Sequence, residues 1–248
     1  MAKPKTRELK VLNSAYVTPH MLRITLGGEE MEGFPAQQES AYVKLVFPQP
    51  GEARPLMRTY TIRRQRAGEI DIDFAIHDHA GPASSWARGA QSGDCIQVGG
   101  PGARKLINPE ADWFLLAGDM TALPAISVNL ELLPESARGC AVIAVIDEAD
   151  IQVLAHPPGI DIHWVVAARA ESAEFAILEH IETLAWPDGQ VSVWAACEFS
   201  EMQQLRSYFR QRELPSSHRY VSSYWKKGLS EEQHKVAKRD DAEADIGG

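Results

Sequence analysis

The rhythm of the chain changes near Ile107-Asn108-Pro109, and this change limits the fold more than any other feature. Before it, short apolar-alternating segments are separated by Gly, Pro and polar turns. Arg7–Tyr16, Met21–Leu26, Ala41–Phe47, Met57–Arg63, Glu69–His77 and Asp94–Val98 read as strands. In Glu69–His77 the alternation is almost complete: Ile70, Ile72, Phe74 and Ile76 fall on one face, Asp71, Asp73 and Ala75 on the other. After the change, the compact apolar runs Trp113–Ala117, Cys140–Ile146, Ile162–Val166, Val191–Ala196 and Arg219–Tyr224 alternate with helical segments at Ala122–Leu133, Ala173–Leu184 and Phe199–Glu213. The expected fold is therefore a two-domain α+β protein. An antiparallel β-barrel over residues 1–108 precedes an α/β domain with a mainly parallel sheet over 109–228. Residues 229–248 are expected to form a short helix and a flexible, charge-rich tail.

At 248 residues, with 44% hydrophobic and 24% charged, the chain is long enough to bury two cores without covalent help. Its three cysteines, Cys95, Cys140 and Cys197, form no CxxC pair and are too few for a four-thiolate cluster. Such usage fits a reducing compartment, and the cytoplasm is expected. The basic start, Met1 to Lys10, lacks the apolar stretch of a signal peptide, and no apolar run approaches the roughly 20 residues of a membrane span. The formal charge of −9 argues against nucleic acid as a partner. There is no GxSxG elbow and no evident Cys–His pairing. His77 and His79, with Asp73 or Asp78, give too few ligands for a fixed metal, so none is expected.

Two segments carry chemistry. Arg58-Thr59-Tyr60-Thr61 lies on a strand, with Arg58 and Tyr60 on one face and Thr59 and Thr61 on the other. An aromatic plane, small hydroxyls and a guanidinium suit a tricyclic ring bearing a diphosphate. In His77-Asp78-His79-Ala80-Gly81-Pro82-Ala83-Ser84-Ser85-Trp86, Gly81 permits a turn and Pro82 begins a helix. The backbone N–H groups of Ala83, Ser84 and Ser85 then face outward as an anion cradle. Each segment alone also suits a plain strand or a plain capped turn.

Taken with GPG at 100–102, LAGDMTALPAI at 116–126, WAACE at 194–198 and SYWKKG at 223–228, these segments keep an order that resembles the siderophore-interacting protein family. That family comprises FAD-dependent ferric-siderophore reductases within the ferredoxin-reductase-like superfamily. The resemblance implies FAD held by Arg58, Thr59, Tyr60, Thr61, His77, Gly81, Ala83, Ser84, Ser85 and Trp86. It implies flavin-mediated chemistry with no catalytic side chain, electrons passing from NADH or NADPH to Fe(III), and Fe(II) released from the chelator. A ferredoxin donor and a non-catalytic siderophore-binding flavoprotein remain open alternatives, as does a general flavin reductase. Ferric siderophores are often anionic, so Lys44, Lys226 and one of Arg104 or Lys105 are expected to converge at the flavin edge, with Lys227 beside them. Gly118, Asp119 and Thr121, where a parallel strand opens a helix, and Asp147 after the next strand, are the expected nicotinamide-nucleotide contacts. Asp147 favours NADH, and Arg169 leans towards NADPH. Cys197 stands where the family has Gly, which questions a close backbone approach there. A monomer is expected.

Overall fold

The computed structural model describes residues 6–49, 51, 54–77, 81–167 and 175–246. The chain divides into two compact units. The first is Met1–Leu106 together with the short segments Ser127–Asn129 and Ala149–Leu154; the second is Ile107–Ile126, Leu130–Glu148 and Ala155–Gly248.

In the first unit, β1 (Thr6–Thr18) and β2 (Met21–Gly27) form a hairpin across Pro19-His20, and β3 (Tyr42–Phe47), β4 (Leu56–Arg66) and β5 (Glu69–Ala75) follow. A short helix, α1 (Pro82–Gly89), precedes β6 (Cys95–Gly99). The six strands close into an antiparallel barrel in the order β1-β2-β5-β4-β3-β6. Closure leaves no edge in the ring, and alternation sends Leu22, Ile24, Val43, Leu45, Ile62, Ile70, Ile72, Phe74 and Val98 into one core.

The polar face of β5 is not solvated as its alternation suggests. Asp71 and Asp73 are only 3% and 7% exposed. Arg23 holds Asp73 through two bonds of 2.6 and 2.7 Å, and Arg66 grips both oxygens of Asp71 at 2.7 Å while the Thr25 hydroxyl donates to it. Burial alone would raise the Asp71 pKa; these bonds and the two guanidinium charges hold it below the usual carboxylate value. Within the same unit, buried Asp150 accepts from the backbone N–H of His20 at 2.9 Å and lies 2.7 Å from its Nδ1. That pair ties the 149–154 segment to the barrel's first hairpin.

The second unit is a five-stranded sheet with the order β11-β10-β7-β8-β9, and every described pair is parallel. Its elements are β7 (Trp113–Gly118), α2 (Leu123–Leu132), β8 (Arg138–Val145), β9 (Gly159–Val166), α3 (Ala176–Thr183), β10 (Val191–Glu198), α4 (Phe199–Arg210), β11 (Arg219–Trp225) and α5 (Glu231–Ile246). Leu115, Ala117, Val142, Val193 and Ala195 pack with Ile177, Ile181, Met202, Leu205 and Phe209 of α3 and α4. The alternate residues Phe114, Leu116, Ala141, Ile143 and Trp194 are buried as well, so both faces are covered. Helix α5 runs for 16 residues, into the stretch expected to be a tail. Among the described residues, no helix is long and apolar enough to cross a membrane.

Candidate functional site

The register of β3 against β4 defines two faces of the barrel wall. Tyr60 pairs with Val43 and Arg58 with Leu45, while Thr59 pairs with Lys44 and Thr61 with Tyr42. Arg58 and Tyr60 thus share one face and the threonines the other, as the strand period requires. Val43 and Leu45 are fully buried, so half-buried Tyr60 packs against the barrel core. Its ring lies 4.4 Å from Phe74 at a 40° tilt. Phe74 lies 6.0 Å from Trp86 of α1, and Trp86 lies 6.1 Å from Phe47. A chain of aromatic rings therefore brings the Arg58–Thr61 strand and the Gly81–Trp86 turn together. Phe74 is the link that sequence reading missed, because its alternation marks it only as core.

On the threonine face, the Lys44 ammonium donates to the Thr59 hydroxyl and lies 5.5 Å from the Tyr42 ring centroid. Gly102 of the GPG turn lies directly over that ring. A Cβ at Gly102 would stand 2.1 Å from Tyr42 Cζ, so only glycine allows this approach. Arg104 donates from Nε to the Glu39 carbonyl at 2.9 Å, and the backbone N–H of Lys105 reaches the Ser40 carbonyl at 3.3 Å. Both residues follow the last barrel strand and, like Lys44 of β3, belong to the first unit.

The start of α1 departs from the expected cradle in two respects. The Ser85 N–H is not outward-facing: it makes the first helical bond, to the Gly81 carbonyl at 2.9 Å. Gly81 itself has φ −73°, which any residue adopts, so its value here is not turn-making. A Cβ at that position would meet nothing within 4 Å. No side chain caps the helix, and the N–H groups of Ala83 and Ser84 take no acceptor among the described residues. Two orphan donors at a positive helix end fit a phosphate group. Exposed His77 lies two residues beyond β5, and Arg88 donates to its carbonyl at 2.8 Å, which ties the segment after β5 to α1. Asp78 and His79 lie outside the described residues. Among the described residues, no three His, Cys, Asp or Glu side chains are grouped to hold a metal.

In the second unit the strand order reverses between β7 and β10, and Gly118 pairs with Ala196 at their carboxyl ends. This is the crevice where open α/β sheets bind ligands. A Cβ on Gly118 would stand 2.4 Å from the Ala196 carbonyl oxygen, so glycine is required there. Asp119, expected as a nucleotide contact, is engaged within the protein. Its Oδ1 accepts from the Thr121 N–H at 2.8 Å and from the Thr121 hydroxyl, and Oδ2 accepts from Trp225 Nε1 at 2.7 Å. Burial pushes the Asp119 carboxyl up in spite of these bonds.

Glu198 is its counterpart. It caps α4 by accepting from Ser200 and Glu201, and it takes the Lys227 N–H at 3.1 Å. Thus two carboxylates bind the LAGDM, WAACE and SYWKKG segments to one another. Their acidic side chains are legible as helix caps, but their long-range partners are not.

Lys226 lies 4.0 Å from the Phe199 ring centroid. Asp147 is exposed just after β8. Arg169 lies outside the described residues. Cys197 is fully buried in the core with α3 and α4, its thiol pKa pushed well up by burial first and by Asp119, Glu201 and Glu198. Its side chain therefore belongs to packing.

Two family models match the chain. The siderophore-interacting FAD-binding domain matches residues 10–53 and 49–105, and the siderophore-interacting protein model matches 111–228. The chain is 33% identical over 250 residues to the ferric vibriobactin reductase ViuB of Vibrio cholerae, with 92% of each chain covered. It is 30% identical over 240 residues to the NADPH-dependent ferric-chelate reductase of Escherichia coli, covering 88% of this chain and 92% of that one. The crystal structure of the siderophore-interacting protein SipS from Aeromonas hydrophila superposes with a TM-score of 0.86 at 34% identity, over 97% of this chain and 99% of that chain. With both models aligned in order and relatives matched nearly end to end, the chain belongs to the siderophore-interacting protein family.

Proposed function

We propose that this protein is a cytoplasmic FAD-dependent reductase that passes electrons from NAD(P)H to a ferric siderophore and so frees the iron as Fe(II). The observation that carries this reading is the joining of Tyr60 to an uncapped helix start through Phe74 and Trp86. FAD, when bound, supplies the exchange between two-electron and one-electron chemistry that side chains lack. Tyr60 offers the plane for its ring, and Arg58 and the Ala83 and Ser84 N–H groups suit its diphosphate. Thr59, Thr61, His77 and Trp86 complete the surround. The names of the relatives, a ferric vibriobactin reductase and a ferric-chelate reductase, support the acceptor.

Lys44, with Arg104, Lys105, Lys226 and Lys227, supplies positive charge for an anionic ferric chelate in a chain of formal charge −9. Fe(II) is held less tightly by hard oxygen ligands than Fe(III), so reduction loosens the complex without breaking the chelator. For the donor, Gly118 and Thr121 border the crevice, and Asp147 suits a ribose hydroxyl while opposing a 2′-phosphate. The Escherichia coli relative is named for NADPH, so both nucleotides belong in the test.

The test is anaerobic. The purified protein loaded with FAD is mixed with NADH, NADPH or reduced ferredoxin, and then with a ferric catecholate. Bleaching of the flavin absorbance by one donor, and its return on adding the chelate, is expected. Bleaching without reoxidation by any ferric chelate would reduce the protein to a flavin carrier.

A further inference from the structure

Helices α4 and α5 and strand β11 enclose a polar cleft of about 230 Å³ in the second unit. Arg206 of α4, Arg219 and Ser222 of β11, and Lys238 and Asp241 of α5 line it. Three cations from three separate elements thus face one carboxylate, in a chain that is acidic as a whole. Asp241 is already engaged: it accepts from Arg206 and, at 2.7 Å, from Gln203. Burial would raise its pKa, but those bonds and the charges of Arg206 and Arg210 bring it below the usual range, so it stays an anion committed to Arg206. Lys238 donates to the Ser222 hydroxyl at 2.6 Å and to the Ser223 carbonyl at 3.0 Å. Arg219 differs from both. It is half-buried; its backbone N–H bonds to the Ser216 carbonyl, but among the described residues its guanidinium makes neither a hydrogen bond nor an ion pair.

A half-buried guanidinium presents a planar fork of N–H donors and is costly to leave without an acceptor. Arg206 and Lys238 line the same cleft, whose described lining holds one carboxylate, Asp241. Phosphate and carboxylate oxygens match such a fork in a bidentate manner. Arg219 pairs with Val193 near the start of the sheet, at the opposite end of the strands from the Gly118–Ala196 crevice.

We propose that this cleft is a binding site for a small, multiply charged oxyanion, a phosphate group or a polycarboxylate, with Arg219 as its principal contact. The ligand completes the fork of Arg219 and bridges it to Lys238 and Arg206. Occupancy therefore ties α5 to β11 and α4 more firmly.

The test uses the full chain in a zwitterionic buffer at constant ionic strength, with inorganic phosphate and citrate as separate probes and sodium chloride as the control. Thermal unfolding should rise by about 3–6 °C at ten times the dissociation constant of the better probe. Amide exchange should slow across Arg219–Trp225 and α5. Arg219→Gln should abolish both effects while leaving FAD binding unchanged, and Lys238→Gln should weaken them. A response to citrate alone selects polycarboxylates, and one to phosphate alone selects phosphate compounds; either supports the site. No response beyond that to chloride, or an equal response in Arg219→Gln, would overturn it.

Discussion

Tyr60 is the side chain on which the flavin reading is most exposed to test. Its ring packs on Phe74 and on the barrel core, so removing it takes away a stacking surface without opening the strand ladder. Tyr60→Ala should weaken FAD by about 10–100-fold in a titration followed by visible absorbance, while Tyr60→Phe should retain most of the affinity. Gly102 invites the opposite experiment. A methyl group there would sit 2.1 Å from Tyr42 Cζ, and Tyr42 must shift to accommodate it. Gly102→Ala should cost about 1–3 kcal/mol in urea unfolding. It should also raise KM for an anionic ferric chelate, since Lys44 loses its aromatic neighbour. Neither effect is visible in a sequence, where GPG marks a turn and says nothing of which ring lies beneath it.

Between elements, a single carboxyl governs how α3 and α4 meet. Glu201 in α4 accepts the N–H groups of Ile177 at 2.7 Å and Leu178 at 3.3 Å, at the start of α3, although only 7% of it is exposed. Burial first, then the charges of Asp119 and Glu198, push its pKa up to about 7 against those two bonds. A raised pKa means that the folded state prefers the protonated acid. The stabilisation is complete below the unfolded pKa near 4.5 and is lost as pH rises through about 7. Glu201→Gln keeps an acceptor but cannot ionise. It should melt close to the parent at pH 5 and higher at pH 8, by no more than about 3 kcal/mol of stability.

The order of elements was legible because strand and helix periods differ so plainly on either side of the Ile107–Pro109 stretch. The Arg58–Thr61 face pattern was legible for the same reason. The sequence pattern did not reveal that Asp71 and Asp73 are buried, because arginines on neighbouring strands cover them. Nor did it reveal that Ser85 is spent on its own helix, or that Asp119 braces Trp225, 106 residues away. Contacts of that kind depend on partners that periodicity does not identify.

At the scale of the whole molecule, charge acts over two ranges. The formal −9 repels an anionic chelate at a distance, and that repulsion is felt when the Debye length is about 30 Å, at 0.01 M salt. On the proposed function, Lys44 acts at contact. Raising salt from 0.01 M to about 0.1 M should therefore increase kcat/KM for a ferric catecholate, and further salt should decrease it. Lys44→Gln should flatten the falling limb and leave the rising one; a profile that only falls in both proteins would show that net charge has no part.

The carboxylates Asp119 and Glu198 already knot the ends of β7, β10 and β11 to one another. On the proposed reading of this crevice as the donor site, a rim fastened in advance has nothing left to rearrange on nucleotide binding, so capture should be a single kinetic phase whose rate climbs in proportion to donor concentration, without a plateau from a slow prior opening.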